Sequence, residues 1–262
     1  MAIHKRLIFT VTAGRTGTAY LARLFEAVPG VSAHHEPFPQ FVDIMRPAQS
    51  EPDLALAFLR DIKLPEIAKA GGEVYIETSH LVCKGFIEAL ILEGLRPGLI
   101  LLRRPPREIA WSYLERGAIP GRTVEGTNYL LKPSDPYVLP LLEWEKASNY
   151  QLCFWYALEM ECRQRRYAAL AKTLSLPVVD VTNRELNDWA VFKGMLAEFG
   201  GLPATEVVRQ AHAKLSAEQH NANRSRLPLP DGLDDAEAAI WQRVRYFEPL
   251  LEQQIATRYA KR

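Results

Sequence analysis

The sequence predicts an α/β protein, a central, mainly parallel β-sheet flanked by helices on both faces. Three observations predict it. Short β-branched apolar runs alternate with longer stretches of helical periodicity, the signature of strands joined by crossover helices. A strand, a break and an amphipathic helix occur in that order twice, in "TVTAGRTGTAYLARLF" and in "GLILLRRPPREIAWSYLERG". The chain of 262 residues is long enough for one sizeable core, and no low-complexity linker divides it, so a single domain over 1–262 is expected.

In chain order, residues 7–12 read as a buried strand, and 16–27 carry helical spacing through Leu21, Leu24 and Phe25. "GVSAHHEPFP" reads as a second short strand that breaks at Pro37. A helix is expected over 53–70, with Pro52 and the acidic Asp53 at its start. "EVYIETSH" is a third strand, followed by a helix over 84–93. The fourth strand, 99–102, stops before Pro105-Pro106, and the helix after it runs to 116, ended by Gly117. Residues 118–140 carry prolines, glycines and aromatics without periodicity, and read as a long loop over a site. A helix over 144–174, a strand at "LPVVDV" and a helix over 189–199 closed by Gly200-Gly201 come next. The tail passes through "SAEQHNANRSRLPLPDG" into one final helix over 235–259.

Composition removes several function classes. A formal net charge of +1 leaves no bulk electrostatic footprint for nucleic acid or an anionic membrane. Cys83, Cys153 and Cys162 are odd in number and widely spaced, which suits reduced core thiols better than zinc. The apolar run near the start is too short for a secretory segment and nothing approaches a membrane span, so a cytoplasmic protein is expected.

The first break, "TAGRTGT", has the makings of an anion cradle. A helix N-terminus presents unpaired N–H groups and about half a positive charge. Gly14 and Gly17 let the backbone wrap closely, Arg15 adds a bidentate cationic donor, and the Thr16 and Thr18 hydroxyls can donate to further oxygens. The plainer alternative is that Gly14 only turns the chain while Thr16 caps the helix. The turn is not a Walker A sequence: two residues separate its glycines and no lysine follows, which disfavours an ordinary ATPase.

At the second break, Arg104 precedes Ser112 by eight residues in "LLRRPPREIAWSY". Together with "TAGRTGT", this resembles the PAPS-dependent sulfotransferase family, whose donor is 3′-phosphoadenosine-5′-phosphosulfate. The resemblance implies a three-layer, P-loop-like fold. It gives Thr12, Gly14, Arg15, Thr16, Gly17 and Thr18 the 5′-phosphosulfate, and Arg104 and Ser112 the 3′-phosphate. Arg103 and Arg107 lie at the same break and compete with Arg104, which the spacing favours. "HHEPF" resembles the His-Glu-Pro stretch of the carbohydrate-type and bacterial branch, implying Glu36 as catalytic base. "ETSHLV" resembles a stretch of the cytosolic branch and makes His80 the rival base; the resemblance favours Glu36. "VVDVTNRELNDWAVFKGMLAEFGGLP" is similar to a later strand and helix of the family. The basic C-terminal loop of the cytosolic branch is missing, and "HNANRSR" offers Arg224 in its place.

The chemistry implied is sulfuryl transfer from PAPS to a hydroxyl of a carbohydrate or small-molecule acceptor. Arg15 would steady the leaving oxygen, and no metal is expected. From the residues alone, Glu36 equally suits a salt bridge to a loop arginine, and His80 a helix cap or a buried hydrogen-bonded group. Trp111, Tyr113, Tyr129, Tyr137 and Trp144 suit core or loop packing better than ligand stacking. The competing functions are a P-loop kinase or nucleotide hydrolase, and a non-catalytic nucleotide-binding module of the same fold.

Overall fold

The computed structural model describes residues 3–218 and 232–260, which form two compact units, residues 3–103 with 164–218 and residues 104–163 with 232–260. In chain order the elements up to the second break are β1 (Arg6–Val11), α1 (Thr18–Glu26), β2 (Val31–His34), α2 (Val42–Ala48), α3 (Asp53–Phe58), a π turn (Leu59–Lys63), α4 (Leu64–Lys69), β3 (Val74–Glu77), α5 (Phe86–Leu92) and β4 (Gly98–Arg103). After it come α6 (Pro106–Arg116), α7 (Val124–Tyr129), α8 (Asn149–Leu174), β5 (Val178–Thr182), α9 (Trp189–Glu198), α10 (Glu206–Ala217), α11 (Leu233–Val244) and α12 (Leu251–Ala260).

The first unit holds the sheet. Its five strands run in the order β2-β3-β1-β4-β5, and every pairing is parallel, so the α/β architecture the sequence predicts is the one observed. Leu7 to Val11 and the whole of β4 are buried, as a parallel sheet covered on both faces requires. On one face Ile8, Ile76, Ile100 and Val181 pack under Leu21, Leu24 and Phe25 of α1 and Phe192, Met195 and Leu196 of α9. Gly98 opens β4 because a β-carbon there would meet the Phe199 ring at 2.9 Å. Phe41, Phe58 and Phe86 form an aromatic cluster with ring centroids 4.7 to 6.0 Å apart, joining α3 and α5 to the lead-in of α2. Burying three aromatic side chains contributes on the order of 2 kcal/mol each.

The second unit is helical. Trp155 of α8 donates to the Leu139 carbonyl at 2.9 Å, and Glu159, one turn on, accepts from Leu139 N at 2.7 Å and from Arg163. Arg107 of α6 forks onto Glu237 at 2.7 and 2.8 Å and also reaches Asp234, tying α11 to α6. Tyr113 is buried edge-on against Tyr156, the packing role expected of it.

Several expectations differ from the structure. The 53–70 helix is interrupted at the π turn because Pro65 has no N–H to donate and its ring cannot fit beside the carbonyl four residues back. The segment 118–140 contains α7, started by Thr123, whose hydroxyl accepts from Gly126 N at 3.1 Å. The final helix is two helices, since Pro249 falls between α11 and α12. Two helices, α2 and α10, were not expected; Thr205, accepting from Val208 N, marks the start of the second. The three cysteines are free and buried, as expected. Among the described residues no helix is long and apolar enough to cross a membrane.

Candidate active site

The strand order sets up the site. With β2, β3 and β1 adjacent and parallel, the chain leaves their carboxyl ends side by side at residues 35–36, 78–80 and 12–17. Cross-bonds lace these exits together. Thr78 N donates to His34 O at 2.9 Å, and His35 Nδ1 donates to Thr78 O at 2.8 Å. Thr10 Oγ1 donates to Ser79 O at 2.9 Å, and the Cys83 thiol lies 3.7 Å from Thr12 O.

The turn after β1 is left-handed at three of four consecutive residues: Gly14 at φ 80°, Arg15 at φ 58° and Gly17 at φ 91°. Turns that mix left- and right-handed residues can gather backbone N–H groups around an anion. Gly17, not Thr16, is the N-cap of α1, and no side chain caps the helix. A β-carbon on Gly17 would meet nothing within 4 Å among the described residues. Thr16 is buried, and its hydroxyl lies 2.6 Å from that of Thr12. Thr18 is buried in the first turn of α1, and Arg15 is half-buried.

Glu36 and His80, rivals in the sequence, are hydrogen-bonded partners, with Glu36 Oε1 2.9 Å from His80 Nδ1. Burial pushes the Glu36 carboxyl up, but the hydrogen bond and charge of His80, with His35 and Lys84, outweigh it and hold the pKa at about 2. Burial, then the charge of Lys84, push His80 down to about 4 against the pull of Glu36. At neutral pH the pair is therefore a carboxylate facing a neutral imidazole. Because a carboxylate only accepts, Nδ1 carries the proton and Nε2 is the basic atom of the ring.

Arg104 and Ser112 belong to the second unit. They stand four residues either side of Glu108 along one stripe of α6 and its lead-in, with Ser112 buried. Arg104 Nε donates to Glu108 Oε2 at 2.8 Å, and its carbonyl accepts from Tyr259 of α12 at 3.0 Å. Both competing arginines are committed elsewhere. Arg103 is buried and grips Asp180 at 2.6 and 3.0 Å and Gln164 at 2.8 Å, while Arg107 holds Glu237. Arg224 lies outside the described residues.

Two lysines were missed. Lys84 is fully buried and acts electrostatically on both Glu36 and His80. Its signal is a cation set inside the apolar run "HLVCKGFIEAL". Lys63, also buried, lies behind the Glu36 loop.

An α/β fold with a parallel sheet and candidate groups at its strand ends is the class these observations define. No family model and no curated protein matches the chain. Among solved structures, the sulfotransferase domain from the curacin biosynthetic pathway is similar over 91% of this chain and 98% of that one, with 12% identity and a TM-score of 0.47.

Proposed function

We propose that this chain is a cytoplasmic PAPS-dependent sulfotransferase acting on a hydroxyl of a carbohydrate or small-molecule acceptor. The observation that carries the reading is the Glu36–His80 pair, 2.9 Å apart, on strand exits adjacent to an uncapped left-handed glycine turn. The clearance beside Gly17 among the described residues and the run of positive φ angles suit a tetrahedral oxyanion, as the motif resemblance implies. Gly14, Arg15, Gly17 and the first turn of α1 would hold the phosphosulfate, with Arg104 and Ser112 assigned to the 3′-phosphate. PAPS would supply the sulfuryl group.

His80 Nε2 takes the acceptor's proton. Glu36 keeps the ring in the needed tautomer and stabilises the imidazolium that forms, which offsets the low ground-state basicity of a buried histidine. Arg15 and the backbone N–H groups stabilise charge growing on the leaving oxygen, where one fixed donor is worth about 3 kcal/mol.

A thermal-shift panel tests the donor class. Adenosine 3′,5′-bisphosphate at 100 times its Kd should stabilise the protein by about 2.7 kcal/mol, and ADP with magnesium by much less. Equal or larger stabilisation by magnesium–ADP sinks the sulfotransferase reading. Binding of the bisphosphate without turnover of labelled PAPS on any hydroxyl acceptor points to a non-catalytic module.

A further inference from the structure

Glu36 sits in a left-handed backbone conformation, φ 47°, which a side chain with a β-carbon disfavours, so the loop that carries it must be held from outside. Gln40 Nε2 donates to the Glu36 carbonyl at 3.0 Å, and beyond it the loop is gripped by a buried cation. Lys63 Nζ donates to Pro37 O at 3.2 Å and to Pro39 O at 2.8 Å, the carbonyls on either side of Phe38, and lies 2.9 Å from Glu77 Oε2. It also sits 4.7 Å over the Phe41 ring. Its three N–H bonds are thus all used on fixed partners.

The anchor behind it is equally fixed. Glu77 is 0% exposed at the end of β3, and Tyr75 donates to its Oε2 at 2.7 Å. The π turn supplies the approach, its wider winding leaving Leu59 and Lys63 as its buried residues. Phe38, between the two clamped carbonyls, is 80% exposed and contributes little packing of its own to hold the segment.

We infer that Lys63 is a positioning residue for the candidate site: by clamping Pro37 and Pro39 onto the β3 carboxylate, it holds Glu36 against His80 Nδ1. The inference rests on the Glu36–His80 pair being the reactive centre, as proposed above.

The test uses the full chain and a readout that needs no turnover, the downfield proton resonance of His80 Nδ1 in its bond to the Glu36 carboxylate. Glu36→Gln defines how that resonance changes when the carboxylate is lost. Lys63→Met leaves Glu77 unpaired and threatens folding, so the deciding variant is Lys63→Met with Glu77→Gln, which removes both buried charges together. The double variant should lose or shift the resonance as Glu36→Gln does. Its turnover of labelled PAPS should fall up to about 100-fold with bisphosphate affinity unchanged, and adding Glu36→Gln to it should cost little more. A wild-type resonance that survives unchanged in a folded double variant overturns the inference, as does its absence from the wild type. If the wild type transfers no sulfuryl group while the resonance still tracks Lys63, the enzymatic reading fails and the positioning role stands.

Discussion

At Glu36 the left-handed turn and the bond to His80 are parts of one arrangement: the backbone bends where the carboxylate meets Nδ1. Which residue is the base then becomes a question of how two residues handle one proton. With Nε2 as the proton acceptor, His80→Asn should lower kcat about 10²- to 10⁴-fold. Glu36→Gln should cost less, and both should retain full stabilisation by adenosine 3′,5′-bisphosphate in thermal melts. A larger loss for Glu36→Gln than for His80→Asn makes the carboxylate itself the base. Both residues were legible in the sequence because "HHEPF" and "ETSHLV" carry local signals. Their contact was not, since 44 residues separate them and only the adjacency of β2 and β3 joins them. Lys63 was illegible for a different reason: a π turn is a hydrogen-bonding pattern, and the helical period alone does not show which face it turns inward.

Among the elements, strands and long helices were the legible part, because burial on both sheet faces demands apolar runs, and α1 and α9 carry a clear apolar stripe. Short helices set by a cap were not. In α7, six residues long and started by Thr123, only Val124 and Tyr129 are large and apolar, and Val124 is exposed; periodicity has nothing to register. What holds α7 is backbone proximity. A β-carbon on Gly126 would lie 2.0 Å from Ile119 O, with no flexible side chain to yield. Gly126→Ala should therefore destabilise the protein by about 1–3 kcal/mol, read as a lower denaturation midpoint at unchanged m value. An unchanged midpoint would show that the contact relaxes freely. Pro65 and Pro249 each fall inside a run of helical periodicity, and at each the lost N–H donor overrides the period and breaks the helix.

Over the whole protein the site leaves a thermodynamic trace. His80 titrates at about 4 when folded and near 6.5 when unfolded, so between those values the unfolded chain takes up a proton that the native ring refuses. Stability is therefore lost as pH falls from about 6.5 toward 4, by about 3 kcal/mol at full extent, and nothing is added above 6.5. Glu36, held at about 2, extends the acid loss below the ordinary carboxylate range. Denaturation midpoints measured from pH 7 to pH 4 should fall less steeply for His80→Asn than for the wild type; parallel curves would mean that His80 is not held neutral. The strand order carries a consequence for descent as well. The ladder ends at Val11, His34 and Glu77, and the glycine turn, Glu36 and His80 each lie in the separate stretch of chain just beyond. Because Thr78 bonds His34, His35 bonds Thr78, and Thr10 bonds Ser79, a backbone change in one stretch is passed to its neighbours while the ladder behind them stays paired. The sheet is the part that tolerates change at its rim, and the rim itself changes as one piece.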